Sequence, residues 1–220
     1  MSSSVQAQVQ ASDSRQKSQL VAGAVAGPFF VVVSLAQIPF RDGFDMTRHA
    51  FSFLLNGPGG WLQAINFVVT GALFLVASRA LGDALAGRGG VVAGVLLGAV
   101  GCGLVVAGLF APQPSYGYPP GAPDGMPKEL TTSSIVHGIA FVASVLSYCA
   151  ALAVTAWRLR QLGDQKWAGV CAGAALILLV VPATQSTGAG TVVIYVALTA
   201  AFLATSGLML HLRRVEGLLK

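Results

Sequence analysis

The segment 44–61, FDMTRHAFSFLLNGPGGW, sets a carboxylate, a guanidinium and an imidazole (Asp45, Arg48 and His49) beside an apolar run too short to cross a bilayer. Asp45 and His49 stand four residues apart, the spacing that brings two side chains onto one face of a helix, and Ser52 and Asn56 extend that stripe. A second imidazole, His137, falls one turn inside the apolar stretch SSIVHGIAFVASVLSY, sharing a face with Ser133, Ser144 and Tyr148. An imidazole and a carboxylate in a partly desolvated pocket suffice for general acid–base work. His49 or His137 is therefore the candidate acid–base residue, with Asp45 as its partner.

Other chemistries find less support. His49 and His137 with a carboxylate from Asp42, Asp45, Asp124 or Glu129 match the composition of a catalytic zinc site, but no HExxH or HxxxH spacing accompanies them, and no metal is expected. Neither GxSxG nor a Ser–Lys pair offers an activated serine. Three histidines make no paired haem ladder and no nucleotide-binding loop is present, so no cofactor is expected. Cys102, Cys149 and Cys171 fall inside apolar runs without a CxxC pair and read as small hydrophobes.

The elements that carry these groups are membrane helices. Of 220 residues 55% are hydrophobic and only 10% charged, with a mean hydropathy of +0.73, more apolar surface than a soluble domain of this size can bury. Six runs approach the ~20 residues that cross the hydrocarbon: 20–40, 61–81, 91–111, 135–157, 167–183 and 191–210, the fifth being the shortest. The fold class expected is all-α, a polytopic bundle of six transmembrane helices occupying 19–214. A polar tail at 1–18, MSSSVQAQVQASDSRQKS, is expected to be disordered, and 215–220 form a second short tail. The first run is full-length rather than the short apolar core of a signal peptide, so it is expected to remain as a helix.

Counted by alternate sides, ten Lys and Arg (Arg15, Lys17, Arg79, Arg88, Arg158, Arg160, Lys166, Arg213, Arg214 and Lys220) face Arg41, Arg48 and Lys128 across the bilayer. The positive-inside rule then places both termini in the cytoplasm and the two long loops, 41–60 and 112–134, outside. The net charge of +5 follows from that topology, and nucleic acid is not an expected partner. Residues 44–56 are expected to form an amphipathic helix of about four turns on the outer face, stopped by NGPGG before the interfacial anchor Trp61. Pro28 should kink the first helix and Pro182 end or bend the fifth. The GxxxG pairs Gly23/Gly27, Gly94/Gly98 and Gly169/Gly173 let backbones approach closely, within the bundle or between copies in a homo-oligomer.

Polar residues recur at one depth on four helices: Gln63, Asn66 and Thr70; Ser133, His137, Ser144 and Tyr148; Thr184 and Gln185; Thr191 and Tyr195. Within a bilayer such groups are costly unless they face the bundle or water, so a shared outward-opening cavity is the economical reading. Arg48, Ser52, Trp61, Gln63, Asn66, Tyr148, Gln185 and Tyr195 are its candidate substrate contacts. The same residues also have plain structural readings. Gln63, Asn66 and Tyr148 serve as interhelical hydrogen-bond partners, and Asp45 with His49 or Arg48 as a surface pair worth under ~1 kcal/mol.

Two stretches, RDGFDMTRHAFSFLLNGPGGWLQAINFVVTGALFL and LFAPQPSYGYPPGAPDGMPKELTTSSIVHGIAFVAS, resemble the signature regions of a bacterial six-span family designated domain of unknown function 998. The resemblance covers most of the chain after residue 20 and implies a bacterial cell membrane location. It points to Asp45, Arg48, His49, Ser52, Gly60, Trp61, Gln63, Tyr118, Pro119, Pro120, Gly121, Ser134 and His137. Gln113 stands where the family pattern has Asp, and Val136 precedes the histidine without the family's Gly. If the loop acid is catalytic, Asp124 or Glu129 takes its place here.

Three functions fit these residues. One is a membrane enzyme performing isomerisation, cyclisation or hydrolysis on a hydrophobic small molecule or lipid. The second is a non-catalytic lipid- or ligand-binding subunit. The third is a small transporter, against which stand the almost purely apolar cytoplasmic halves of the helices.

Overall fold

The computed structural model describes residues 3–184 and 190–215. It is all-helical: α1 Ser3–Gln37, α2 Gly60–Leu85, α3 Gly87–Leu109, α4 Thr132–Gln161, α5 Gln165–Thr184 and α6 Gly190–Val215. Five of these are long and apolar enough to cross a membrane, while α5, apolar over Gln165–Val181, is shorter.

Over the segment expected as a polar tail, α1 runs back to Ser3. Extending an already nucleated helix costs little, and the Gln-, Ala- and Val-containing tail continues the turn of the apolar run behind it. The helix also passes through Pro28 without ending, and α5 continues through Pro182 to Thr184.

Successive helices pack side by side and α1 packs on α6, so the six close into a ring. Neighbours run antiparallel: a Cβ on Gly23 would lie 2.7 Å from Ala77 of α2 and 3.2 Å from Met209 of α6, and one on Gly27 2.4 Å from Phe202. Of the three GxxxG pairs, Gly23/Gly27 and Gly94/Gly98 face other helices, whereas Gly169 and Gly173 meet nothing within 4 Å. The ring therefore has a loop end, carrying 38–59 and 110–131, and a terminal end, where α1 begins and α6 finishes.

Side chains cap the helices at both ends. Thr131 accepts from the Ser134 N–H to start α4, and Asp164 Oδ1 accepts from the Trp167 N–H to start α5. Arg158 Nε donates to the Leu85 and Ala86 carbonyls at 2.9 and 3.1 Å, closing α2. Toward the terminal end the ring is filled by Leu20, Leu81, Leu85, Leu159, Met209 and Leu212, all buried.

Candidate functional site

The long amphipathic helix expected over 44–56 does not form. Residues 42–48 make turns, Ala50 is extended (φ −66, ψ 159), and only Phe51–Leu55 is helical, as a 3-10 turn. The side chains explain why. Asp45 Oδ1 accepts from both the backbone N–H (2.8 Å) and the hydroxyl (2.7 Å) of Thr47, an Asx-type turn that competes with helix. The i, i+3 geometry of the 3-10 turn then sends Phe51 and Leu54 into the core.

His49 is a cross-brace between the two long loops. Its Nδ1 accepts from the Asp45 backbone N–H at 2.9 Å, so the proton sits on Nε2, which donates to the Tyr116 carbonyl at 2.9 Å. Its own carbonyl accepts from the Tyr195 hydroxyl of α6. Packed against the rings of Phe44, Phe53 and Tyr118, it is only 2% exposed. Asp45 meets His49 through its backbone N–H, not its carboxylate, which stays exposed and is held below the ordinary aspartate range mainly by the Thr47 hydroxyl. Beside it, burial pushes the Tyr118 phenol upward, opposed by the charge of Arg41.

Gln63 and Asn66 belong to a buried polar network between α1 and α2. Gln37 Nε2 donates to Gln63 Oε1 at 2.7 Å, Gln63 Nε2 donates to Ser34 Oγ at 3.0 Å, and Asn66 Nδ2 donates to the Phe30 carbonyl at 3.0 Å. Arg41 joins it through Gln37 Oε1 at 2.9 Å, and its guanidinium also donates to the carbonyls of Leu54, Pro58 and Gly59. This cation is surrounded by carbonyl oxygens rather than a carboxylate, and it clamps the 51–59 segment to the end of α1. The clamp and the turn it grips need glycine: Gly59 has φ +80 against the Arg41 guanidinium, and a Cβ on Gly60 would lie 2.1 Å from the Leu55 carbonyl.

His137 does something different. Its Nδ1 lies 2.7 Å from the Phe110 carbonyl and 3.1 Å from that of Ala107, two acceptors at the end of α3 that no helical turn satisfies. In the neutral ring, carbonyl acceptors fix the proton on Nδ1 and leave Nε2 as an acceptor. No described residue bonds Nε2. It is not among the fully occluded unpaired atoms (Gln16 Nε2, Asn56 Nδ2, Asn66 Oδ1, Thr70 Oγ1 and Ser206 Oγ), and the His137 side chain lines a cavity.

The cavity lies in the loop-end half of the ring, with α1, α2, α3, α4 and α6 as walls and residues 50–52 as a roof. Its volume is about 70 Å³, several times that which admits one water. Phe30, Phe67, Phe141 and Phe202 dominate the wall, with Ser52, His137, Ser144, Tyr148 and Tyr195 as its polar members. Most of the hydroxyls are engaged: Ser144 donates to the Ala140 carbonyl (2.7 Å), Tyr148 to that of Ala201 (2.9 Å), and Tyr195 to that of His49.

The expected shared pocket thus divides. Ser52, His137, Tyr148 and Tyr195 reach the cavity; Gln63 and Asn66 are in the α1–α2 network; His49 braces the loops. Arg48, Asp124 and Glu129 are exposed away from the cavity wall, and Trp61 is 64% exposed on the rim of α2. Gln185 lies outside the described residues. Gln113 is structural: its Oε1 accepts from the Thr131 N–H (3.1 Å) and its N–H donates to Ser134 Oγ (2.6 Å), tying the second loop to α4. Sequence reasoning missed the buried clamp at Arg41 and the phenylalanine wall. An isolated Phe carries no spacing signal, and Arg41 was counted only as a loop charge.

The fold is that of an all-helical membrane protein with a largely apolar cavity. The chain belongs to the family described as protein of unknown function (DUF998), whose model matches residues 24–212. No curated protein and no solved structure matches it.

Proposed function

We propose that the protein binds a hydrophobic small molecule or lipid in the central cavity, with His137 Nε2 as its polar contact. In this reading the chain spans the bacterial plasma membrane six times. Both termini are cytoplasmic, as the ten-to-three distribution of Lys and Arg favours, and the loop end is outside. The observation that carries the reading is an aromatic wall that includes one imidazole whose Nε2 has no partner among the described residues, the composition of a small-molecule site: mostly apolar, with few polar groups that set orientation. Transport finds no support in the terminal half, where buried leucines fill the ring.

Acid–base catalysis is a second reading, favoured by the same free nitrogen. His137 would act as a lone base in an isomerisation, cyclisation or hydrolysis, since no Asp or Glu among the described residues lines the cavity. Purification from the membrane followed by solvent extraction and mass spectrometry tests the binding reading. A stoichiometric hydrophobic molecule should be recovered and should be lost from Leu198→Trp, which narrows the cavity. Recovery of bulk lipid alone, equal in both proteins, would contradict it. Conversion of the recovered molecule by the unaltered chain, abolished in His137→Gln, would establish catalysis.

A further inference from the structure

Resting on that reading of the cavity, we propose that it selects ligands whose polar end donates a hydrogen bond: an apolar body ending in a hydroxyl group, rather than a ketone, an ester or a carboxylate. The argument is an inventory of donors and acceptors. The Phe110 and Ala107 carbonyls hold the proton on His137 Nδ1, which leaves the lone pair on Nε2 of a ring that lines the cavity. The Tyr148, Tyr195 and Ser144 hydroxyls, which could otherwise donate to a carbonyl ligand, each donate to a backbone oxygen. Ser52 is the remaining hydroxyl of the wall without a described partner.

A ketone oxygen placed at His137 meets a lone pair and leaves both groups unpaired, and a site built to bond a hydroxyl discriminates against an analogue lacking it. A carboxylate fares worse, because no Lys or Arg among the described residues lines the cavity and the guanidinium of Arg41 is surrounded by carbonyls and Gln37. The α3 cap thus acts at a distance as the specificity element. By ending that helix on His137, the chain sets which nitrogen faces the ligand.

The test compares 2-dodecanol with 2-dodecanone, which share a carbon skeleton, and with dodecanoate. Each is added at known mole fraction to the full chain in lipid nanodiscs, with the bound fraction read by native mass spectrometry. The alcohol should bind about tenfold more tightly than the ketone, the worth of one hydrogen bond, and dodecanoate more weakly still. Leu198→Trp should abolish binding of all three, and His137→Leu should bring the alcohol-to-ketone ratio to about one. The comparison on the unaltered chain decides by itself if His137→Leu fails to fold. Equal binding of alcohol and ketone, blocked by Leu198→Trp, would overturn donor selection while leaving the cavity reading intact. Binding of none, or binding indifferent to Leu198→Trp, would overturn both.

Discussion

His137 on α4 holds the end of α3: its Nδ1 lies 2.7 Å from the carbonyl oxygen of Phe110. One contact does two things. It satisfies a helix terminus that a membrane leaves without water, and it settles which ring nitrogen remains for chemistry.

We predict that the His137 imidazole is neutral with the proton on Nδ1, and that ¹⁵N NMR of selectively labelled histidine shows this tautomer. His49 should show the opposite tautomer, with the proton on Nε2. Two identical tautomers would contradict the hydrogen-bond assignment at one of the two rings.

Replacing His49 by Ala should destabilise the loop end by about 1–3 kcal/mol, since it strands the Asp45 N–H and the Tyr116 carbonyl. Hydrogen exchange should speed up at 45–49 and 115–118 and stay slow in the helices. Unchanged exchange in both loops would mean that the ring is not the brace between them.

Asp45 offers a pH test. Hydrogen bonds from Thr47 hold its carboxyl below the ordinary 3.8, so its contribution to the turn is complete above that value and declines as pH falls through the folded pKa. The Thr47 amide resonance should move only below about pH 3.8, and Asp45→Asn should leave ligand binding unchanged. A binding defect in Asp45→Asn would return this carboxylate to the site.

The all-helical architecture and five of the six apolar runs, as helices long enough to cross a membrane, were legible in the sequence, because apolar length is a strong signal. The 44–56 segment was not. Its i, i+4 stripe satisfies a helical pattern, yet Asp45 and Thr47 close a local turn, Ala50 is extended, and a helix this short is marginal without tertiary support. Depth in the membrane likewise could not separate Gln63 from Tyr148. Both lie on inward faces, but Gln63 turns toward α1 and Tyr148 toward α6, a difference set by ring geometry.

The α1–α2 network separates structural polarity from binding. Gln63→Leu should cost about 2–4 kcal/mol, since it leaves Gln37 and Ser34 underpaired. Thr70→Val should be neutral or stabilising by up to ~1 kcal/mol, because its buried Oγ1 has no partner among the described residues. Unfolding midpoints in one detergent measure both. Loss of ligand at unchanged stability in Gln63→Leu would move this residue into the binding site.

The most direct test of cavity binding is an experimental structure of the chain purified from its native membrane, at a resolution that resolves side chains. Continuous elongated density should lie between Phe141 and Phe202, its polar end about 2.7–3.0 Å from His137 Nε2. A cavity closed by contact between those two rings, or holding only isolated waters, would contradict the account.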